Sequence, residues 1–483
     1  MNARVPTSRI GFSLDIASLS DDYRSARRTP LDVVEAVIAA TDDDTHHAWI
    51  HRIDAQLLRT QARELQQRGP MGLPLYGIPF AIKDNIDLAG VPTTAGCPDY
   101  AYVPQKSAFV VQRLLGAGAI AIGKTNLDQF ATGLNGTRSP YGACRNAFDP
   151  QRVSGGSSSG SAVAVALGQV SFSLGTDTAG SGRVPAAFNH LVGLKPTCGL
   201  LSTTGVVPAC RSLDTPSVFA LTAQDAQRVF DVAQGWDEAD AYSRPATGQR
   251  AGFGPAMRIG VPAAKQLQFF QPGYADAFEG ACEHAQRLGA HLVTIDFAPF
   301  LEAARLLYEG PWVAERYQAI RAFIDEKPQA VFPVTREITL GGARVSAADA
   351  FAAFYRLQEL KRQCTLSAWR QADVLLLPTA PSHPTIAAML QEPVLRNSEL
   401  GLYTNFMNLL DCAGVAVPFS FAPDGLPFGV TFAAQAQQDT ALLRLAARWQ
   451  QSLRGVAATL GATGHAPVNE FTPSPLFSTA IPE

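Results

Sequence analysis

Hydroxyls and glycines crowd into two short runs, Ser154-Gly155-Gly156-Ser157-Ser158-Ser159-Gly160-Ser161 and Thr176-Asp177-Thr178-Ala179-Gly180-Ser181-Gly182-Arg183. Turns of this composition bring backbone N–H groups close to a ligand. Ser181 stands where a strand pattern gives way to a loop and then a helix pattern. There its own N–H and those of Gly180, Ala179 and Thr178 can converge on an oxyanion, helped by the N-terminus of the following helix. The chemistry this permits is attack by a serine hydroxyl on a carbonyl.

Other readings of the same run compete. A flexible Gly/Ser linker would not lead straight into apolar helix and strand patterns. A phosphate cradle of the Walker type needs a Gly-Lys-Ser/Thr ending, and no lysine lies between Arg152 and Lys195. Gly156–Gly160 matches a G-x-S-x-G nucleophile elbow centred on Ser158. That reading needs a preceding strand, which Phe148-Asp149-Pro150-Gln151-Arg152 makes poorly, and a distant histidine. Ser158, Ser159 and Ser161 otherwise read as hydroxyls that cap backbone.

The elements that must position these residues alternate between strand and helix. Ile78–Lys83 is a short apolar run ending in Lys-Asp-Asn, a buried strand feeding a loop. Ala119–Gly123 and Val170–Leu174 read as strands, the latter by strict alternation. Ala108–Leu115, Ser161–Leu167 and Val184–Asn189 read as helices. Nearer the N-terminus, Thr29, Pro30 and Asp32 make a helix start, and Asp54–Arg68 a second helix. The pattern predicts an α/β core with a parallel or mixed sheet. Gln234–Pro255 reads as a linker or surface excursion. Arg258–Val261, Ala275–Leu288 and His291–Ile295 read as strand, helix and strand, and about 301–362 as mostly helical. Leu375–Leu377, Val415–Pro418 and Gly429–Phe432 supply further core strands, and Gly461–Glu483 reads as an extended tail.

Composition bounds the alternatives. The chain has 483 residues, 47% apolar and 17% charged, with a formal charge of −3, which excludes a disordered or collagen-like chain and gives no electrostatic reason for a nucleic-acid or membrane-surface partner. Seven cysteines without a C-x-x-C pair argue against a disulfide framework or structural zinc and for a reducing cytoplasm. The eight histidines show no zinc spacing, so no metal is expected. Met1–Ile16 lacks the apolar stretch of a signal peptide. The longest uncharged run, Val153–Thr176, is 24 residues but rich in Ser and Gly, too polar to span a bilayer.

Collinear segments then carry a resemblance. Gly77-Ile78-Pro79-Phe80-Ala81-Ile82-Lys83-Asp84-Asn85, Gly123-Lys124-Thr125-Asn126, the two Ser/Gly runs, Gly193-Leu194-Lys195-Pro196-Thr197, Leu377-Pro378-Thr379-Ala380-Pro381 and Gly425-Leu426-Pro427-Phe428-Gly429-Val430 resemble the amidase signature family, from about residue 25 to about 450. The resemblance implies a central twisted mixed β-sheet covered by helices on both faces. It also implies a Ser-Ser-Lys triad: Ser181 as nucleophile, Ser157 as bridging serine after a cis peptide bond, Lys83 as base. No cofactor is implied. Lysine serves as a base only when neutral, so burial must bring its pKa down from about 10.4. Ile82 and Ile86 are consistent with an apolar setting; Asp84 and Asp87 would oppose it if they pointed inward. Asp177 and Arg183 flank the nucleophile loop as a candidate salt bridge.

Within that family the chain departs from the commonest pattern at Ser159, Ala179 and Gly182. Together with Gly199-Leu200-Leu201-Ser202, Val206–Asp214 and Leu307-Tyr308-Glu309-Gly310-Pro311-Trp312-Val313-Ala314-Glu315-Arg316, it is similar to allophanate hydrolases in particular. There Tyr308 and Arg316 would hold the carboxylate of a small anionic amide and set the amide over Ser181. The implied reaction is the last step of urea breakdown by the carboxylase route and of cyanuric acid breakdown. Rivals are an amidase for another small amide such as biuret, a glutaminase-type component of an amidotransferase, an α/β-hydrolase using Ser158, and a non-enzymatic scaffold. A cytoplasmic homodimer is expected. Residues 1–460 are expected to form one amidase domain, with a catalytic core at about 70–235 and 370–450 and a mostly helical substrate-side region at about 258–365. With only the tail 461–483 beyond it, the further C-terminal domain these enzymes often carry is expected to be absent.

Overall fold

The computed structural model describes residues 10–248, 250–254 and 256–459. Eleven strands form one sheet: β1 (Trp49–Arg52), β2 (Pro79–Lys83), β3 (Ile120–Thr125), β4 (Phe172–Asp177), β5 (Val192–Lys195), β6 (Thr215–Ala220), β7 (Arg258–Pro262), β8 (His291–Ile295), β9 (Val374–Pro378), β10 (Cys412–Phe421) and β11 (Pro427–Gln435). Their spatial order is β1-β3-β2-β4-β6-β5-β10-β11-β9-β7-β8. β2 runs parallel to both β3 and β4, and β7 parallel to β8 and β9. The pairs from β4 through β6, β5, β10 and β11 to β9 are antiparallel. The sheet is mixed and the fold is α/β.

Every residue of β2, β3, β4, β5, β6 and β9 is buried. Strands buried on both faces require cover on both, and the helices supply it. The helix Ser159–Ala166 packs on β2, β3 and β4; the helices Tyr274–Arg287 and Asp439–Thr459 pack on β10 and β11. Burial of both faces also explains why β4 misleads as a pattern. Its alternating Ser173 does not face solvent: its hydroxyl donates to Ser161 O across the helix contact.

The anticipated helices lie where local chemistry put them, within a residue or two. Thr29 and Asp32 form a reciprocal capping box ahead of the helix Pro30–Thr41, and Asp54 caps Ala55–Arg68. Between Ala298 and Cys364 the chain is helical apart from short connections, whereas residues 258–295 add β7 and β8 to the sheet. Residues 234–257 form no helix or strand among those described, but they are anchored: Asp237 and Asp240 are buried and accept hydrogen bonds from Ser202 and Thr203. The tail expected at Gly461–Glu483 lies outside the described residues. Among the described residues no helix is long and apolar enough to cross a membrane.

Candidate active site

β2 and β4 are adjacent and parallel, so their C-terminal ends emerge together. In open α/β sheets that edge is where ligands bind. β2 ends on Lys83 and β4 on Asp177, from which the chain turns through Thr178–Gly182. Phe80 stacks on Phe172, with ring centroids 5.1 Å apart, and holds the two strands in step. Ser157 arrives from the side, just ahead of the helix Ser159–Ala166 that lies on both strands.

The Gly156–Ser157 peptide is cis, as the resemblance implies. Gly156 lies against the Asp128 carboxylate and the Asn135 and Gly136 amides, so closely that a β-carbon there would overlap them. Ser157 O accepts the Asp128 N–H at 3.1 Å.

These elements bring three side chains into a line. Lys83 Nζ is 2.8 Å from Ser157 Oγ, and Ser157 Oγ is 3.0 Å from Ser181 Oγ. Lys83 Nζ is also 2.7 Å from Thr176 Oγ1. Lys83 is completely buried, and burial lowers its pKa to about 7. The Asp128, Asp214 and Asp177 charges pull the other way, and the positive charge of Arg316 assists the lowering. Asp84 and Asp87 are occupied elsewhere. Asp84 forms a buried ion pair with Lys124 at 2.7 Å, and Asp87 accepts from Thr93 and Tyr102. An amine with a pKa of about 7, in line with two hydroxyls, can pass a proton along that line.

The loop carrying Ser181 is pinned at several points. Asp177 and Arg183 form a bidentate pair, each contact 2.9 Å, with both side chains fully buried. Burial alone would raise the Asp177 pKa, but the adjacent guanidinium and the Gly182 N–H hold it below the usual carboxylate range. Gly182 N–H donates to Asp177 Oδ2 at 2.9 Å and Gly180 N–H to Oδ1 at 3.0 Å. Of the four amides expected to face an oxyanion, that of Gly180 is therefore already engaged by the Asp177 carboxylate. Gly180 has φ of 145° and lies on Thr404, which leaves no space for a side chain.

Arg183→Met would strand a buried carboxylate. It is expected to cost about 3–5 kcal/mol of stability, read as the loss in urea unfolding; a loss below about 1 kcal/mol would show that Asp177 is not held by this pair.

The structure adds residues to which the sequence reading gave no role. Asp214 is buried and accepts from Thr178 Oγ1 and from the Ala209 and Cys210 amides. Burial pushes its pKa up to about 6 against those hydrogen bonds. Asn408 Nδ2 donates to Asp177 O and Leu213 O at 2.9 Å each, joining the nucleophile loop to the Asp214 segment. Asp128 accepts the amides of Asn135, Gly136 and Arg138. Asp128 and Asp214 gather amides of their own loops without a recurring spacing, and Asn408 reaches partners about 200 residues away, so no sequence pattern marks these residues.

Tyr308 and Arg316 come together from consecutive helices, Ala298–Glu309 and Trp312–Glu326. The buried Arg316 guanidinium lies over the Tyr308 ring, 5.2 Å from its centroid, and its Nη2 donates to the Tyr308 hydroxyl at 3.2 Å. Its Nη1 reaches Thr132 Oγ1 at 3.1 Å and Ala131 O at 3.3 Å. Glu315, its neighbour in the same helix, does not pair with it and accepts from Ser212 instead. Phe130 and Ala131 have φ of 50° and 52°, a left-handed conformation that costs non-glycine residues about 1–3 kcal/mol each. This tight bend links the groups, since Asp128 at its start touches Ser157 and Thr132 at its end touches Arg316.

Ser158 is not placed as a nucleophile. Its hydroxyl donates to Thr176 O at 3.1 Å, and Ser159 and Ser161 donate to Asn126 O and Leu174 O. His383 is buried, stacked on Phe188 and bonded to Val153 O. Among the described residues no group of His, Cys, Asp or Glu is arranged to hold a metal ion.

Comparison with known proteins agrees with this architecture. The Amidase family profile matches residues 32–443. The urea amidolyase of Saccharomyces cerevisiae is 46% identical over 463 residues, 92% of this chain and 25% of that protein. The chain thus spans about a quarter of the length of the urea amidolyases it matches. One component of the glutamyl-tRNA(Gln) amidotransferase of Chloroflexus aurantiacus is 34% identical, over 88% of this chain and 93% of that polypeptide. Among solved structures, Kluyveromyces lactis allophanate hydrolase superposes with a TM-score of 0.85 at 44% identity, covering 92% of this chain and 73% of that one. With the family profile matched along most of its length, and a relative of comparable size sharing a third of its residues, the chain belongs to the amidase family.

Proposed function

We propose that the chain hydrolyses allophanate, releasing ammonia from its terminal amide through a Ser181 acyl-enzyme. The observation that carries this is the line Lys83–Ser157–Ser181, 2.8 and 3.0 Å per step, ending on a lysine whose pKa burial lowers to about 7. Similarity to urea amidolyase and allophanate hydrolase favours this substrate over glutamine.

In the proposed mechanism Lys83 takes the Ser157 proton while Ser157 takes that of Ser181, and the Ser181 oxygen attacks the amide carbon. The Thr178, Ala179 and Ser181 amides receive the charge that develops on the carbonyl oxygen, that of Gly180 being engaged by Asp177. The relay returns a proton to the departing ammonia. Water, deprotonated along the same line, releases N-carboxycarbamate, which loses carbon dioxide and yields the second ammonia. Arg316 and Tyr308 hold the substrate carboxylate. The pair of one charged and one neutral donor suits a small anion better than an uncharged amide.

The test is ammonia release measured over allophanate, biuret, malonamate and glutamine. Allophanate is expected to have the highest kcat/KM; a clear preference for glutamine or biuret would replace this reading by one of those. The proposal also covers a cytoplasmic homodimer and the one-domain division at about residue 460. The free state of all seven cysteines supports a reducing compartment. Light scattering at twice the chain mass would support the dimer.

A pH dependence follows. The base works only when deprotonated and its folded pKa is about 7. The kcat/KM profile is therefore expected to rise tenfold per pH unit below about 7 and to level off above it. An acid limb near pH 10 would mean that a lysine with its ordinary pKa is at work.

A further inference from the structure

Two buried guanidiniums bond to Thr132, and neither has a carboxylate within ion-pair distance among the described residues. One is Arg316. The other is Arg138, 2% exposed, whose Nη1 donates to Thr132 O at 2.9 Å and Nη2 to Pro393 O at 2.6 Å. In both, Nε is buried and has no hydrogen-bond partner among the described residues. The two share one residue, Arg316 on its hydroxyl and Arg138 on its carbonyl. Asp128, the carboxylate whose charge Arg138 feels most, is taken up by three backbone amides. A buried cation without a counter-ion is costly, and two side by side repel each other. The arrangement becomes favourable when an anion enters.

We infer that Arg138 is a specificity-determining residue: together with Arg316 it makes the site around Thr132 electropositive, so that amides bearing a carboxylate are selected over neutral amides of the same shape. This deepens the proposed function and rests on it, since the selected anion is the substrate's own carboxylate. Arg316 supplies the direct contact; Arg138, bonded to the Thr132 carbonyl, supplies charge from behind that contact and does not take part in the proton relay.

Malonamate and malonamide are a suitable probe pair, near-isosteric and differing by one charge. For the unaltered protein, kcat/KM should favour malonamate. In Arg138→Met, kcat/KM for malonamate is expected to fall about tenfold or more, mainly through KM, with malonamide changed less than about threefold. In Arg138→Lys, which keeps the charge but not the two carbonyl contacts, the ratio between the substrates should persist even if the protein is less stable. Equal losses on both substrates in Arg138→Met would make Arg138 a loop clamp, and loss of the ratio in Arg138→Lys would show that its charge does not carry the selectivity; either result overturns the inference. If the methionine variant fails to fold, Arg138→Gln, which keeps a donor for a carbonyl but no charge, is read by the same criterion. If the unaltered protein shows no preference for malonamate, or turns over neither compound, it is the functional reading that fails.

Discussion

Ser181→Ala should reduce ammonia release by a factor on the order of 10⁴ or more, and Lys83→Met by a comparable factor. The two should not add. Lys83 acts only through the proton that Ser181 gives up by way of Ser157, so once either end of the line is gone the other has nothing to do. Ser158→Ala is the internal control, because its hydroxyl serves the backbone of β4, and it should retain most of the activity. If Ser158→Ala abolished turnover and Ser181→Ala did not, the nucleophile would have been misassigned.

The lysine variant carries a second expectation of opposite sign. Lys83 has a folded pKa of about 7, below its ordinary value of 10.5. Between those values the unfolded chain holds more protons than the folded one, so this residue makes stability rise with pH across that window. Below about pH 7 the penalty is complete, on the order of 4–5 kcal/mol for a shift of this size. Lys83→Met removes the penalty but leaves the Ser157 and Thr176 hydroxyls short of a partner. The variant should therefore melt above the unaltered protein at pH 7, with the difference shrinking toward pH 10. A lower Tm at every pH would show that the lysine stabilises the fold and is not held at a cost for catalysis.

Arg316→Ala should raise KM for allophanate by about 30- to 150-fold, corresponding to about 2–3 kcal/mol for hydrogen bonds to a charged group. The guanidinium contacts the ground state and the transition state alike if it holds only the carboxylate, so kcat should change much less. Some loss in kcat is expected from the fold itself. Arg316 braces Ala131 and Thr132, and Asp128 in the same bend touches Ser157. Tyr308→Phe removes one neutral contact and should cost only severalfold. A large fall in kcat with KM unchanged would rule out a substrate clamp at Arg316.

Much of this site was legible in the chain because its determinants are local. The glycines at 155, 156, 160 and 180 mark places where backbone must approach its neighbours closely, and the structure fills the space beside each of them. The Thr29 capping box and the apolar run into Lys83 follow from short-range chemistry alone. Three strands went unread: Trp49–Arg52, Val192–Lys195 and Thr215–Ala220. Two of them are only four residues long, too short to show a period, and the third carries Pro216 and Ser217 in a fully buried setting. Their identity as strands comes from the neighbours they pair with.

The order of residues along the chain settled the covalent parts and their local poise: which hydroxyls sit on turns, which lysine ends an apolar strand, and which segments match the amidase pattern. The packed fold supplied what acts on them. The burial that makes Lys83 a base and the approach of Arg138 and Arg316 to the same residue, Thr132, depend on surroundings that the neighbouring residues in the chain do not provide. The reason is physical. Desolvation and charge–charge energies are set by distance through space and by exclusion of water, and neither is written in the spacing of residues along one strand or helix.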